Sequence, residues 1–512
     1  MKRICFILVF SLMLNVSLYS QNSDDFTEVT INKVPEHVQP MTGIVFWDGQ
    51  HVSVSKKATS MEFSYMLYSD VVSEEGVYDW SVVEDKLDAI ASRKHQAVLR
   101  FRYVYVGEET AVPDYIKALP DYHETEGVSE GETTWFPDWS NETLKQFTLD
   151  FYTEFAEKYD EDPRLAFVET GFGLWAEYHI YDGPFELGVT FPSIEFQDAF
   201  FRHLDTTFIH TPFMISIDAA SLGTTPPYTP FHYDENLLDI PFGLFDDSFM
   251  HDGFGDPGEY NTESWHYFGS SRYQVAPAGG EFSYYSNYDQ RHVLDYPDGP
   301  YGKPYEYFAD QFHITFIIGN DQPLYQSTER IKQASMASGY MFKIKKFLTK
   351  PDSSLITVQN VGVAPIYYDA FVAVNGTRSE KSLKGLLPGD TLICEVSAGG
   401  ENPVLTIESD RLVEGQQIEY YGTENHLGIT KKNDLGSLLI FPNPVRMNDS
   451  FIIQNRGKET IDYFLYSLDG VLLRSGVIQR GETRVSTTGL SKGVYLLKAG
   501  QENGKAEKLI IQ

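Results

Sequence analysis

The sequence predicts an α/β chain: a TIM-type (β/α)8 barrel, then a β-sandwich, then a small all-β module at the C-terminus. Three observations carry this reading. From Met41 to about Gly339, short apolar runs alternate with amphipathic helical stretches, the grammar of a parallel barrel. From Tyr340 to about Gly422, only strand patterns occur. Beyond Leu435, five short β-like runs are separated by turn signals. The implied organisation is an export signal over 1–20, a barrel over 21–339, a sandwich over 340–422, a polar linker over 423–435 and a terminal module over 436–512.

The barrel elements follow in order. Phe63 to Tyr68 reads as a strand, and Val82 to His95 as a helix with Val83, Leu87, Ile90 and Ala91 at helical spacing. Ala97 to Tyr103 is the next strand. Ser140 or Asn141 caps a helix whose Leu144, Phe147, Phe151 and Phe155 form one stripe. Leu165 to Glu169 is a buried strand, and Phe196, Phe200, His203 and Leu204 mark another helix. Pro212 to Ile217, Phe242 to Phe245 and Phe312 to Ile318 complete the strands that the pattern yields. In the sandwich, Met341 to Ile344, Leu355 to Val358, Tyr367 to Val372 and Thr391 to Val396 are strands, and Pro388-Gly389-Asp390 is a turn.

Composition narrows the function. The 512 residues carry 73 acids against 40 bases, a net charge of −33. Phosphate binding needs a basic face, so the balance argues against nucleic acid and anionic membrane as partners. The excess of acids lies in the body, and the two ends are net basic. Lys2 and Arg3 precede an apolar run from Ile4 to Leu18, which reads as a cleaved Sec-type signal because it is shorter than a spanning helix. No other segment reaches transmembrane length. Without the signal, Cys394 is the one cysteine left, so neither an intramolecular disulfide nor a thiolate zinc site is expected. Phosphate loops and Gly-x-Ser-x-Gly elbows are absent, and no cofactor is expected.

The candidate chemistry lies at strand ends, where barrels keep their active sites. Gly171-Phe172-Gly173-Leu174-Trp175-Ala176-Glu177-Tyr178-His179 follows a buried strand. A glutamate beside a tryptophan in such a turn suits a general acid with a raised pKa. Glu281 lies 104 positions further on, after Gly279 and Gly280, which would let the backbone approach a ligand closely. The pair suits the two carboxyls of a glycosidase. Asp246 and Asp247 end a strand and could hold substrate hydroxyls. The stretch Asp252 to Glu259 lacks regular calcium-loop spacing. Arg100 and Arg102 share one strand face and suit anionic groups or a structural ion pair. Trp175 and His179 flank Glu177 as further substrate contacts. Aromatics are dense between Trp265 and Phe312, with Trp265, Tyr284, Tyr285 and Tyr288 as sugar platforms or core. His179, His266, His292 and His313 show no metal spacing, so no metal site is expected.

Two resemblances add to this. Phe441-Pro442-Asn443-Pro444, then Tyr466-Ser467-Leu468-Asp469-Gly470, then Gly489-Leu490-Ser491-Lys492-Gly493-Val494-Tyr495 resemble the C-terminal sorting domain of the Bacteroidetes type IX secretion system. That resemblance implies the type IX machinery as a partner and a secreted or cell-surface location. Between about Gly43 and Gly422, Gly76-Val77-Tyr78-Asp79-Trp80, Val98-Leu99-Arg100-Phe101, the Gly171–His179 segment, Phe242 to Phe249 and Gly279-Gly280-Glu281 resemble glycosidase-like barrels fused to a β-sandwich. Many of these are catalogued as domains of unknown function. The resemblance implies Glu177 as acid/base and Glu281 as nucleophile. The layout is similar to that of the large retaining clan of barrel glycoside hydrolases, whose members usually carry Asn before the acid glutamate; here Ala176 stands there. The expected function is a secreted retaining glycoside hydrolase acting on poly- or oligosaccharides. The alternatives are a non-catalytic surface glycan-binding protein, or a polysaccharide lyase with a Tyr or His base beside Arg100.

Overall fold

The computed structural model describes residues 26–423 and, from 438 to 511, all except 442–444, 448, 456–459, 468–471, 480 and 500–505. The expected export signal, and the expected linker beyond Thr423, lie outside the described residues. So does the Pro442-Asn443-Pro444 part of the sorting motif.

Eight parallel strands close into a barrel in chain order. They are β1 (Gly43–Trp47), β2 (Met61–Leu67), β3 (Gln96–Arg102), β4 (Leu165–Thr170), β5 (Phe213–Ser216), β6 (Gly243–Phe249), β7 (Ala278–Phe282) and β8 (Phe316–Ile318). Closure comes from β8 against β1, with Phe316 opposite Gly43 and Ile318 opposite Val45. The two-residue period of a strand sorts the side chains. Ile44, Phe46, Leu99, Phe101, Val168, Ile215, Leu244 and Ile317 pack outward under the helices. Val45, Phe63, Val98, Phe167, Met214, Phe245 and Phe316 fill the lumen, where the Phe167 and Phe316 rings stack at 5.3 Å.

The outer helices include α1 (Val52–Ala58), α2 (Ser81–Ala91), α3 (Glu142–Tyr159) and α4 (Ile194–Thr207). The α3 cap is Asn141, whose side chain accepts from the Leu144 amide, and the expected Leu144, Phe147, Phe151 and Phe155 stripe is buried. After β5 the chain makes three short 3-10 turns, Ile217–Ala220, Pro230–His232 and Glu235–Asp239, in place of a long helix. The return from β6 uses α5 (Tyr260–Tyr267), that from β7 uses α6 (Asn287–His292) and α7 (Tyr305–Gln311), and α8 (Thr328–Met336) follows β8.

The β1 and β7 strands escape the sequence pattern. A five-residue run buried on both faces has no alternation to detect, and β7 is Ala-Gly-Gly-Glu-Phe, poor in strand formers. Its glycines serve the barrel rather than a ligand. A Cβ on Gly279 would lie 2.6 Å from the Phe316 ring, and one on Gly280, at φ +146°, would lie 2.1 Å from the Asp246 carbonyl oxygen.

The sandwich pairs β9 (Phe342–Lys350), β10 (Ser353–Asn360) and β13 (Thr391–Val396) in one sheet, with β11 (Phe371–Val374), β12 (Thr377–Ser382) and β14 (Leu405–Glu408) in the other. The first sheet also takes in Thr27–Glu28, antiparallel to β9, and Tyr420–Tyr421. This domain caps the N-terminal end of the barrel. Arg411 donates to the carbonyls of Asp160 and Leu165 and to Thr211 Oγ1, and Gln96 bonds Gln416. Those partners precede or begin barrel strands, so the sandwich leaves the opposite end uncovered.

The C-terminal unit is built of two antiparallel sheets, one of Leu438–Phe441, Ser450–Asn455 and Gly481–Ser486, the other of Ile461–Ser467, Leu472–Ile478, Gly493–Ala499 and Ala506–Ile511. Phe451, Ile453, Leu465, Val485, Leu497 and Leu509 form its core. Among the described residues, no helix is long and apolar enough to cross a membrane.

Deleting one ring of the luminal stack should leave a cavity. Phe167→Ala should cost about 3–5 kcal/mol in denaturant unfolding. A loss below about 1 kcal/mol would mean that the ring does not fill the barrel.

Candidate active site at the barrel mouth

The site starts from the alternation on β3. Val98 fills the lumen, so Arg100 and Arg102 also point inward, higher up. Arg100 is 2% exposed. Its Nε and Nη2 donate to Glu169 Oε2 of β4 at 2.7 and 2.6 Å. Its Nη1 donates to Glu177 Oε1 at 3.1 Å and to the Trp175 carbonyl at 3.2 Å. The guanidinium lies over the Phe245 ring of β6, 4.2 Å from its centroid.

The loop after β4 folds back sharply. The amides of Phe172 and Gly173 donate to the Glu177 carbonyl, and Leu174 donates to that of His179. Gly173 is required, because a Cβ there would lie 1.9 Å from the His179 carbonyl oxygen. Trp175 and Ala176 both adopt left-handed conformations, at φ 60° and 57°. Two successive non-glycine residues in that region are strained, a common feature of functional loops. The result is that Glu177 turns back into the lumen.

Around Glu177 the mouth gathers acids. His179 Nδ1 lies 2.8 Å from Asp218 Oδ2, just past β5, and Ser216 Oγ donates to the same oxygen at 2.7 Å. His179 Nε2 faces Glu177 Oε2 at 3.3 Å. Asp247 points inward from β6. Glu281 enters from β7, and among the described residues no donor reaches its carboxylate within hydrogen-bond distance. Tyr65, Tyr105 and Trp175 wall one side, with the Tyr105 and Trp175 rings 4.4 Å apart.

Crowding sets the protonation. Burial, then the charge of Asp247, pushes Glu177 well above the usual carboxylate range, against the pull of His179 and Arg100. Burial raises Glu281 to about 8; Arg100 opposes this, while Asp247 and Glu169 add to it. Burial and Asp218 raise Asp247. Burial works against a charged His179, but Asp218, Glu177 and Asp247 outweigh it and raise the ring to about 10. Burial likewise opposes the charge of Asp218, but His179 and Ser216 hold its carboxyl below the usual range.

The structure thus brings Glu177, Glu281, Arg100, His179, Trp175 and Asp247 together. Arg102 lies nearby, bound to Glu108 at 2.6 Å and laid over Tyr105. Tyr284 and Tyr285 are exposed after β7. Asp246 does not join them. Alternation turns it outward, where it accepts from Trp265 Nε1, Asn261 Nδ2 and the Ser248 amide. That bond also buries Trp265, which is therefore core rather than a sugar platform. Glu259, in the faint calcium-like loop, caps α5 and pairs with His251. Sequence reasoning missed Glu169, Tyr65 and Asp218 as members of the site. The signal was available for the first two, which sit two residues beyond the luminal Phe167 and Phe63. Asp218 lies just past a strand end.

Residues 439–512 match the secretion system C-terminal sorting domain. No curated protein matches the chain. Among solved structures it is similar to an intracellular xylanase from Thermoanaerobacterium saccharolyticum (12% identity, 57% of this chain and 90% of that chain covered, TM-score 0.35). It is also similar to a family 39 glycoside hydrolase from Bacteroides cellulosilyticus (11%, 72% and 82%, TM-score 0.36) and to an endo-1,4-beta-xylanase from Caldicellulosiruptor owensensis (11%, 54% and 84%, TM-score 0.34). The sorting domain directs the chain to the type IX system, for secretion or surface display.

The raised Glu281 carboxyl has a stability consequence. It ionises near 4.5 in the unfolded chain but near 8 in the folded one, so folding loses stability as pH rises through that window. Glu281→Gln should therefore raise the melting temperature at pH 9, with the gain vanishing below about pH 4.5. A melting temperature lowered equally at both pH values would contradict the assignment.

Proposed function

We propose that this exported chain is a retaining glycoside hydrolase acting on poly- or oligosaccharides, with Glu177 as acid/base and Glu281 as nucleophile. One observation carries the reading. Two carboxyls, one from the loop after β4 and one from β7, lie at the C-terminal end of the barrel strands under the field of one buried arginine. Glu177, deeply buried and pushed towards its protonated form, donates to the departing glycosidic oxygen. Glu281, partly exposed and drawn towards ionisation by Arg100, attacks the anomeric carbon. Water, deprotonated by Glu177, then releases the sugar from Glu281. Asp247 keeps the proton on Glu177, and the exposed Tyr284 and Tyr285 offer flat faces to sugar rings. In this reading residues 1–20 start export, 21–339 are the catalytic barrel and 340–422 are the sandwich.

Glu177→Gln should lower turnover by about 10²–10⁴-fold while the melting temperature holds, measured by product sizing on a panel of neutral and anionic polysaccharides. Undiminished turnover would remove Glu177 from the reaction. Retention of glycans without cleavage by the parent chain would favour a binding protein, and unsaturated ends absorbing in the ultraviolet a lyase.

The pH profile separates the roles. kcat/KM should rise with pH through about 8 as Glu281 ionises. A rising limb near pH 4.5 would take the nucleophile role away from Glu281.

A further inference from the structure

We propose that the barrel mouth binds one divalent ion of the zinc or manganese class, through His179 Nε2, Glu177 Oε2 and Asp247, with Asp218 fixing the imidazole from behind. The inference does not rest on the glycosidase reading. Ligand atoms of Glu177, His179, Asp218 and Asp247 all lie within 4.8 Å of one another. Within that cluster, Glu177 Oε2 and His179 Nε2 are buried and make no hydrogen bond among the described residues. Glu177 as a whole is 3% exposed, and a buried polar atom of this kind calls for a partner. The two atoms contact each other as an ion pair at 3.3 Å, and a bound ion would take the place of the imidazole proton between them. An ion held at about 2.0–2.2 Å by each of its ligands spaces neighbouring ligand atoms about 3–3.5 Å apart.

The surroundings fit as well. A ligating histidine usually gives its other ring N–H to a carboxylate, which fixes tautomer and ring orientation. His179 Nδ1 makes that contact with Asp218 Oδ2 at 2.8 Å, and Ser216 Oγ anchors the same oxygen. The donor set is one imidazole nitrogen with carboxylate oxygens, on a chain whose buried Cys394 lies in the sandwich. Imidazole with carboxylate suits zinc or manganese, whereas calcium and magnesium take oxygen alone. The ligands come from the loop after β4, the end of β5 and β6, so no linear spacing announces them. An ion here would occupy the oxygen that the proposed reaction gives to the leaving group. Metal binding and hydrolysis would then exclude each other.

The test uses the full chain, stripped with a chelator and titrated calorimetrically with Zn2+, Mn2+, Ca2+ and Mg2+. One equivalent of Zn2+ or Mn2+ should bind at least about 100-fold more tightly than Ca2+ or Mg2+ and raise the melting temperature. His179→Gln and Asp247→Asn should each weaken binding about 10–100-fold. Should His179→Gln fail to fold, Asp247→Asn decides. No stoichiometric Zn2+ or Mn2+ binding, or binding unchanged in the folded variants, would overturn the site. The readout needs no sugar substrate. Hydrolysis without ion binding would retain the catalytic reading and reject the metal site; ion binding without hydrolysis would do the reverse.

Discussion

The guanidinium of Arg100, sealed in the lumen, ties the mouth together. It joins β3 to β4 through Glu169, reaches the loop after β4 through Glu177 and the Trp175 carbonyl, and rests on Phe245 of β6. A buried charge of this kind is tolerable only while its partners stay in place. Glu169 is the fixed counter-ion, held at 2.6 Å on the strand next door. Glu177 makes the longer contact, 3.1 Å, and keeps one oxygen turned away from the arginine. Arg100 therefore neutralises Glu169 more fully than it does Glu177, which leaves Glu177 free to respond to whatever enters the mouth.

That arrangement explains why strain collects where it does. Trp175 and Ala176 are forced into left-handed backbone so that the loop can reverse and bring Glu177 under Arg100. The packing of Ala176, fully buried, and the arginine's bond to the Trp175 carbonyl hold the reversal. The position before Glu177 is thus a buried structural residue. A longer polar side chain there would have to displace core, which gives a steric reason for alanine at this position.

Much of the barrel was legible because amphipathic period is a local property. The α3 stripe and the β3 and β4 strands read directly, since each has a buried face that repeats at its own spacing. Short strands buried on both sides, such as β1, and the glycine-rich β7 carry no such signal. Within the candidate site, Glu177 was legible from the loop after β4, and Glu281 from the glycines before it, which the structure puts in β7 rather than in a loop. Asp246 and Asp247 were not separable, because a pair of adjacent acids gives no hint of which one faces in; only the register fixed by Phe245 settles it. The gathering of His179 with Asp218 and Asp247 depends on three segments meeting in space, and no linear spacing encodes that.

The two-residue strand at Thr27–Glu28 has a temporal meaning. It zips onto β9, with the Val29 amide bonded to Phe347, Ile31 to Thr423 Oγ1 and Gly422 to Lys33. The first described residues are thus stitched to segments more than 300 positions away. Such distant pairing is slow to form. A chain emerging N-terminus first from a ribosome or a pore holds no finished sandwich until Thr423 is out. The first sandwich sheet is therefore the last part of this unit to be completed, although it holds the first described residues.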